Sequence, residues 1–333
     1  MSAFSLSFLI VATFLVTALG TAWLKKWLME KNILDYPGER TSHEVPTPRG
    51  GGLVIYLVLV AVWIILISKS ANLPTEALWI LVCSVGLVIP AWIDDLGQVS
   101  SMSRLLGQIV IVIIAMFFLT GPFPVFQGVL PTALDAPATV FLWVGFTNLF
   151  NFTDGIDGNA ATKAVVLGFG VFALSIFGEI PSGLGELGIT AAAAAAGFLV
   201  WNWHPARIFM GDVGSIPLGF LMGWLLLSLA TRGQWAPALI LPLIYLADSG
   251  LTYTGKITRR EKFWRPHRDL YYQHAARSPG VTHADVVKVI LLGDLVLVGL
   301  AILSAQGMIG LSLIGATVTS VTVIIYLKVG FRQ

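Results

Sequence analysis

Residues 138–178 read A-T-V-F-L-W-V-G-F-T-N-L-F-N-F-T-D-G-I-D-G-N-A-A-T-K-A-V-V-L-G-F-G-V-F-A-L-S-I-F-G. An apolar run, a polar turn and a second apolar run follow one another, the pattern of two membrane-spanning helices joined at a boundary. Within the turn, Asn148, Asn151, Asp154 and Asp157 place two amides and two carboxylates in one short stretch. Ionisable side chains beside hydrocarbon are expensive, so such a group signals function. Asn148 and Asn151 lie three apart and share a helix face. Asp154-Gly155 and Asp157-Gly158 are turn signals where the chain leaves its helix. Taken alone, the same residues also suit a plain polar interhelical loop.

The composition around this stretch agrees. The chain has 333 residues, 56% hydrophobic and 11% charged, and its mean hydropathy is +0.83. Soluble domains carry about a quarter charged residues, so the expected fold is an all-α, polytopic membrane helical bundle, one transmembrane domain over 1–333. The single cysteine, Cys83, excludes an internal disulfide framework and leaves little scope for a thiolate metal site. Phe4 to Trp23 lacks a preceding basic stretch, and Lys25-Lys26 follow it, so it reads as a span rather than a signal peptide.

About eleven spans are expected, at 3–24, 50–67, 77–93, 105–120, 138–152, 162–178, 187–203, 213–230, 236–254, 284–303 and 308–328. Their connections then alternate between two sides. One side holds all the Lys and Arg residues, Lys163 included, except Lys69 and Arg232. The positive-inside rule makes that side cytoplasmic, with the N-terminus outside and the C-terminus inside.

The chemically distinctive loops share that face. The first contains Arg40, His43 and then Pro46-Thr47-Pro48-Arg49-Gly50-Gly51-Gly52, where glycines beside an arginine let backbone approach an anion. The bland alternative is a Gly-rich helix entry. The second holds Asp94-Asp95 with Arg104 and Gln108 four apart on one helix face; adjacent carboxylates at a membrane boundary ask for a cation or a proton. The fourth follows Trp203-His204-Pro205-Ala206-Arg207 with Gly211-Asp212-Val213-Gly214-Ser215. There Asp212 either supplies a hard oxygen ligand beside backbone amides or simply caps a helix. The large cytoplasmic loop, 255–283, interleaves basic residues, among them His267, Arg268 and His274, with Phe263, Trp264, Tyr271 and Tyr272. That mixture suits a pyrophosphate-linked nucleotide, or membrane-surface anchoring. Asp248 is read as a support to the site, and Asp294 as an interhelical partner or a catalytic group. No nucleic-acid module is present in the pattern.

One shared site explains these loops best. Carboxylates without a Cys/His cluster favour Mg²⁺ over zinc or copper. The rival is an ion-coupled transporter of a polar or phosphorylated substrate, which would place its polar residues at mid-membrane in repeated halves; no clear internal repeat is visible. A purely structural scaffold would need none of the carboxylates.

The sequence resembles the polyprenyl-phosphate N-acetylhexosamine-1-phosphate transferases, a bacterial glycosyltransferase family of the cell envelope. The resemblance rests on P-T-P-R-G-G-G at 46–52, D-D at 94–95 with Arg104 and Gln108, N-F-T-D-G-I-D-G at 151–158, G-D-V-G-S at 211–215 and the His/Arg-rich loop around 267–274, in the family's order. It implies transfer of a HexNAc-1-phosphate from a UDP-sugar to undecaprenyl phosphate, releasing UMP, with Mg²⁺ required and Mn²⁺ a substitute. It implies catalytic roles for Asp94, Asp95, Asp154 and Asp157, and Asp212 as metal ligand with Asp95 or Asp154 alongside. Arg49, Arg104, Asn148, Asn151, His267, Arg268 and His274 fall to substrate binding. Membrane lipid and a second copy of the chain are the implied partners. The last loop reads R-P-H-R-D-L-Y-Y-Q-H-A, without three consecutive histidines, which disfavours the pentapeptide-bearing donor and points to the O-antigen-initiating branch, with UDP-GlcNAc, UDP-FucNAc or UDP-QuiNAc as donor.

Overall fold

The computed structural model describes residues 2–36, 45–69, 73–95, 100–178, 180–260 and 269–331. Its helices are α1 (Ala3–Glu30), α2 (Gly52–Lys69), α3 (Ala77–Asp95), α4 (Ser101–Met116), α5 (Thr132–Thr153), α6 (Asn159–Phe177), α7 (Ser182–Asn202), α8 (Asp212–Ala230), α9 (Trp235–Ile240), α10 (Leu243–Thr258), α11 (Tyr271–Ala275), α12 (His283–Ala305) and α13 (Ile309–Val329). Among the described residues the only sheet is a two-residue antiparallel pair, β1 (Leu34–Asp35) with β2 (Thr47–Pro48). Among the described residues, nine helices are long and apolar enough to cross a membrane. The chain is an all-α, polytopic membrane bundle.

Two of the eleven expected spans take another form. The one expected at 105–120 is α4, only 16 residues long. The one expected at 236–254 is broken into α9 and α10. Pro242 lies at that break; it has no amide to donate, and its ring crowds the carbonyl one turn back.

α8 is the mast of the bundle: every one of its residues is buried, with α2, α3, α5 and α9 packed around it. Small residues permit this. A Cβ on Gly214 would meet the Gly52 Cα at 2.4 Å, so α8 and α2 cross backbone to backbone. α6 and α7 do the same, since a Cβ on Gly168 would lie 2.3 Å from the Gly188 carbonyl oxygen. The alanines from Ala191 to Ala195 extend that close face. α1 is the opposite case, exposing Phe4, Phe8, Val11, Leu15, Leu19 and Trp23, as a lipid-facing helix does.

Lys163 was expected among the charges of a membrane face. It lies instead inside the bundle, on α6, 2.9 Å from Asp294 of α12, with both side chains buried. Its ammonium also donates to the Leu241 carbonyl at 3.2 Å and sits 4.3 Å from the Tyr245 ring centroid. The carbonyl freed where the ninth span breaks thereby has a donor.

Polar groups otherwise collect at the ends. At one end Arg232 pairs with buried Glu76 at 3.1 Å, Thr120 donates to the same carboxylate, and Asp135 accepts the Val125 and Phe126 amides. The opposite end carries the site.

Candidate functional site

α3 ends on Asp94-Asp95 and α8 begins on Asp212. The Asp95 carboxylate accepts the Asp212 and Val213 amides, each at 3.0 Å, so it caps the N-terminus of α8. That terminus carries partial positive charge, which favours a carboxylate there. Gly211, at φ +74°, makes the approach possible: a Cβ there would lie 2.7 Å from Asp95 Oδ2.

Two arginines tie these acids together. Arg49 contacts Asp95 at 3.0 Å and Asp212 at 3.3 Å. Arg104, from the first turn of α4, contacts both Asp94 and Asp212. Burial works against the Arg49 charge, but Asp95 and Asp212 hold its pKa above the ordinary arginine value. Asp154, just past the end of α5, feels the same group. Burial pushes its carboxyl up, Arg49 opposes that, and the charges of Asp212 and Asp95 raise it again, leaving it well above the usual carboxylate range. Crowded like charges of this kind are relieved by a proton or a cation.

The amides of the central stretch brace the acids. Asn148 donates to Gln108 at 2.5 Å and to the Val144 carbonyl at 2.9 Å. Asn151 accepts from Ser215 of α8 at 2.5 Å. Asp157 has different partners: its Oδ2 meets His204 Nδ1 at 2.6 Å, the Ala206 amide at 3.1 Å and His283 Nδ1 at 3.3 Å.

The glycines after Arg49 do not form the anion cradle expected of them. The Gly50 and Gly51 amides donate to the Phe209 carbonyl and the Gly52 amide to the Met210 carbonyl. Those donors are spent on the protein's own backbone, and the missing side chains serve packing: Cβ atoms at Gly51 and Gly52 would strike Ile208 and Gly214.

The large loop reaches the site through α11. Asp248 of α10 accepts the Tyr271 and Tyr272 amides at 2.8 and 3.2 Å. The Tyr272 hydroxyl then donates to the Phe152 carbonyl and accepts from Gln273 Nε2 at 3.1 Å. His274 is exposed on α11. His267 and Arg268 lie outside the described residues, as do Arg40, His43, Phe263 and Trp264.

Sequence reasoning brought Arg49, Asp94, Asp95, Arg104, Asp154 and Asp212 to one place, and there they meet. It did not find the contact of His204 and His283 with Asp157. The only local signal for His283 is the capping box of Thr282 with Asp285, which marks the helix start on which His283 stands.

The chain is similar in sequence to known proteins. The profile described as "Glycosyl transferase family 4" matches residues 77–230, from the start of α3 to the end of α8. A phospho-N-acetylmuramoyl-pentapeptide-transferase of Geobacillus sp. (strain WCH70) is 30% identical over 237 residues, 64% of this chain and 70% of that protein. The chain belongs to glycosyl transferase family 4. Within the family, a probable undecaprenyl-phosphate N-acetylglucosaminyl 1-phosphate transferase of Bacillus subtilis (strain 168) is 28% identical over 297 residues, 85% of this chain and 81% of its own length. A second pentapeptide-transferase, from Bacillus licheniformis, is 32% identical over 195 residues, 52% of this chain and 58% of that protein. The family match spans Asp94, Asp95, Asp154 and Asp212, whereas Arg49 lies outside it and joins them through its ion pairs.

Proposed function

We propose that the protein transfers a HexNAc-1-phosphate from a UDP-sugar to undecaprenyl phosphate at the cytoplasmic face of a bacterial inner membrane. The products are undecaprenyl-diphosphate-sugar and UMP. One observation carries the reading: four carboxylates, Asp94, Asp95, Asp154 and Asp212, gather with Arg49 and Arg104 at one end of an apolar bundle. Family membership supports sugar-1-phosphate transfer to a polyprenyl phosphate as the general chemistry.

An acceptor phosphate oxygen forms a bond to the β-phosphorus of the donor while the bond from that phosphorus to the bridging oxygen breaks and UMP leaves. The acceptor phosphate is already largely ionised near neutral pH, its second pKa being about 6, so no base need remove a proton. Asp94 and Asp95 therefore position the site. Asp95 holds the α8 terminus, and Arg104 is held between Asp94 and Asp212. Arg49 and Arg104 retain guanidinium donors for phosphate oxygens.

An all-oxygen donor set suits Mg²⁺, or Mn²⁺ in its place. Asp212 would hold the ion, with Asp95 or Asp154 beside it. An ion held there would supply positive charge for the diphosphate oxygens. Asn148 and Asn151 shape the donor pocket. The segment 255–283 recognises the sugar nucleotide, with Tyr272 fastening it to the last turn of α5.

An apolar cavity of about 410 Å³ lies between α5, α8, α9 and α10, lined by Trp143, Phe146, Leu226 and Trp235 and reaching Val125 and Phe126 toward the end of the bundle away from the site. Its lining suits the far part of a long polyprenyl chain whose phosphate lies at the acidic cluster. The N-terminus is assigned to the periplasm and the C-terminus to the cytoplasm in this reading, on the charge asymmetry of the expected connections with Lys163 left out of it.

The test is UMP release by purified protein with Mg²⁺ and undecaprenyl phosphate, across UDP-GlcNAc, UDP-FucNAc and UDP-QuiNAc. Lipid-dependent release, abolished by EDTA and fastest with one sugar, is expected. Movement of an intact UDP-sugar across liposomes without cleavage would replace this reading with the transporter.

A further inference from the structure

The geometry points to a transition-metal site of the Zn²⁺ class formed by Asp157, His204 and His283, beside the carboxylate–arginine group and made of different residues. The three come from separate parts of the chain: the α5–α6 turn, the loop before α8 and the first turn of α12. One potential ligand atom from each lies within 4.8 Å of the others, the one such His/Cys/Asp/Glu group among the described residues. Asp157 and His283 are largely buried, while the His204 side chain is 29% exposed and leaves an entry path.

The geometry carries the argument. Asp157 Oδ2 stands 2.6 Å from His204 Nδ1 and 3.3 Å from His283 Nδ1, so two imidazoles converge on one carboxylate oxygen in a mostly buried place. The Asp157 amide donates to His283 Nδ1 at 3.2 Å, a contact that an ion on that nitrogen would displace. Ligand atoms about 2.0 Å from a tetrahedral ion stand about 3.3 Å apart. The His283–Asp157 separation already matches, and the 2.6 Å His204–Asp157 separation opens to it by a small rotation of the more exposed ring.

Two imidazoles and one carboxylate favour a first-row transition ion over Mg²⁺, which prefers oxygen and retains its water. Three protein ligands with one open side leave room for a water as the fourth. An ion there pins the start of α12 and the loop before α8 to the α5–α6 turn, three residues from Asp154. The site does not depend on the proposed reaction.

The experiment uses the full chain without a polyhistidine tag, stripped with a chelator and then dialysed against Zn²⁺, Co²⁺ or Mg²⁺. We expect about one tightly held Zn²⁺ per chain by mass spectrometry, a raised melting temperature, and visible Co²⁺ bands of the intensity given by four-coordinate sites. The His204→Ala/His283→Ala pair should weaken Zn²⁺ binding by about tenfold or more, while millimolar Mg²⁺ should not displace the ion from the unaltered chain. Should that variant fail to fold, the single change His204→Gln, at the more exposed ring, and the Co²⁺ spectrum of the unaltered chain still decide. Absence of stoichiometric Zn²⁺ together with six-coordinate-like Co²⁺ bands overturns the site, as does undiminished binding in a folded variant.

Discussion

Replacing Asp294 tests how the bundle tolerates charge in its interior. The carboxylate stands 2.9 Å from Lys163, with side chains 1% and 2% exposed. Removing one partner of such a pair leaves a buried charge uncompensated, which costs about 3–5 kcal/mol. In Asp294→Asn the amide oxygen still accepts a hydrogen bond, so the lower figure, about 3 kcal/mol, applies. In Asp294→Leu nothing replaces the carboxylate, and the upper figure, about 5 kcal/mol, applies. Removing both charges as Lys163→Met/Asp294→Leu relieves the stranded ammonium but leaves the Leu241 carbonyl without its donor, a loss of about 1–3 kcal/mol. The double variant must therefore be more stable than Asp294→Leu alone. The assay is thermal unfolding of detergent-solubilised protein, at no more than about 2–4 °C per kcal/mol for a chain of this size. If Asp294→Leu melts with the unaltered protein, or no lower than the double variant, the pair is not an interior ion pair and the reasoning fails.

Other outcomes follow from the site. Asp212→Asn should lower UMP release by about 100-fold or more while the melting temperature holds; unaltered turnover removes Asp212 from the metal role. Tyr272→Phe strips a hydroxyl from the Phe152 carbonyl and should destabilise by about 1–2 kcal/mol. Because it loosens the donor loop, initial-rate kinetics should show KM for the UDP-sugar rising more than kcat falls. Gly214→Ala drives a methyl into the Gly52 backbone 2.4 Å away, so the melting curve should move down by the equivalent of about 1–3 kcal/mol. An unmoved curve would mean that the two helices do not cross so closely.

The spans were legible because hydropathy over some twenty residues is a strong signal, and most expected boundaries fall near the helices found. The failures have local causes. Pro242 was visible in the ninth apolar run, but an apolar window does not register a missing amide. Lys163 looked like a boundary charge because its counter-charge, Asp294, stands far along the chain on another helix. In the site, the residue types pointed to one shared cluster of acids and arginines, and these side chains do meet. The partners could not be read. That Asp95 caps α8, and that the Gly50–Gly52 amides are spent on Phe209 and Met210, depend on loops meeting in space. The pairing of Asp157 with His204 and His283 was hidden for the same reason, three short polar loops giving no hint of which face each other.

The position of α8 bears on how the chain is made. Synthesis runs from the N-terminus, so α2, α3 and α5 enter the bilayer before the helix they surround. The early helices must leave a slot or part sideways to admit it, since no core exists for them to close upon. The Gly52–Gly214 crossing and the Asp95 cap then form in the same event, as the last carboxylate of the cluster arrives at the head of α8. A nascent chain halted before residue 212 would hold most of the arginines and acids of the site without the helix end that Asp95 caps.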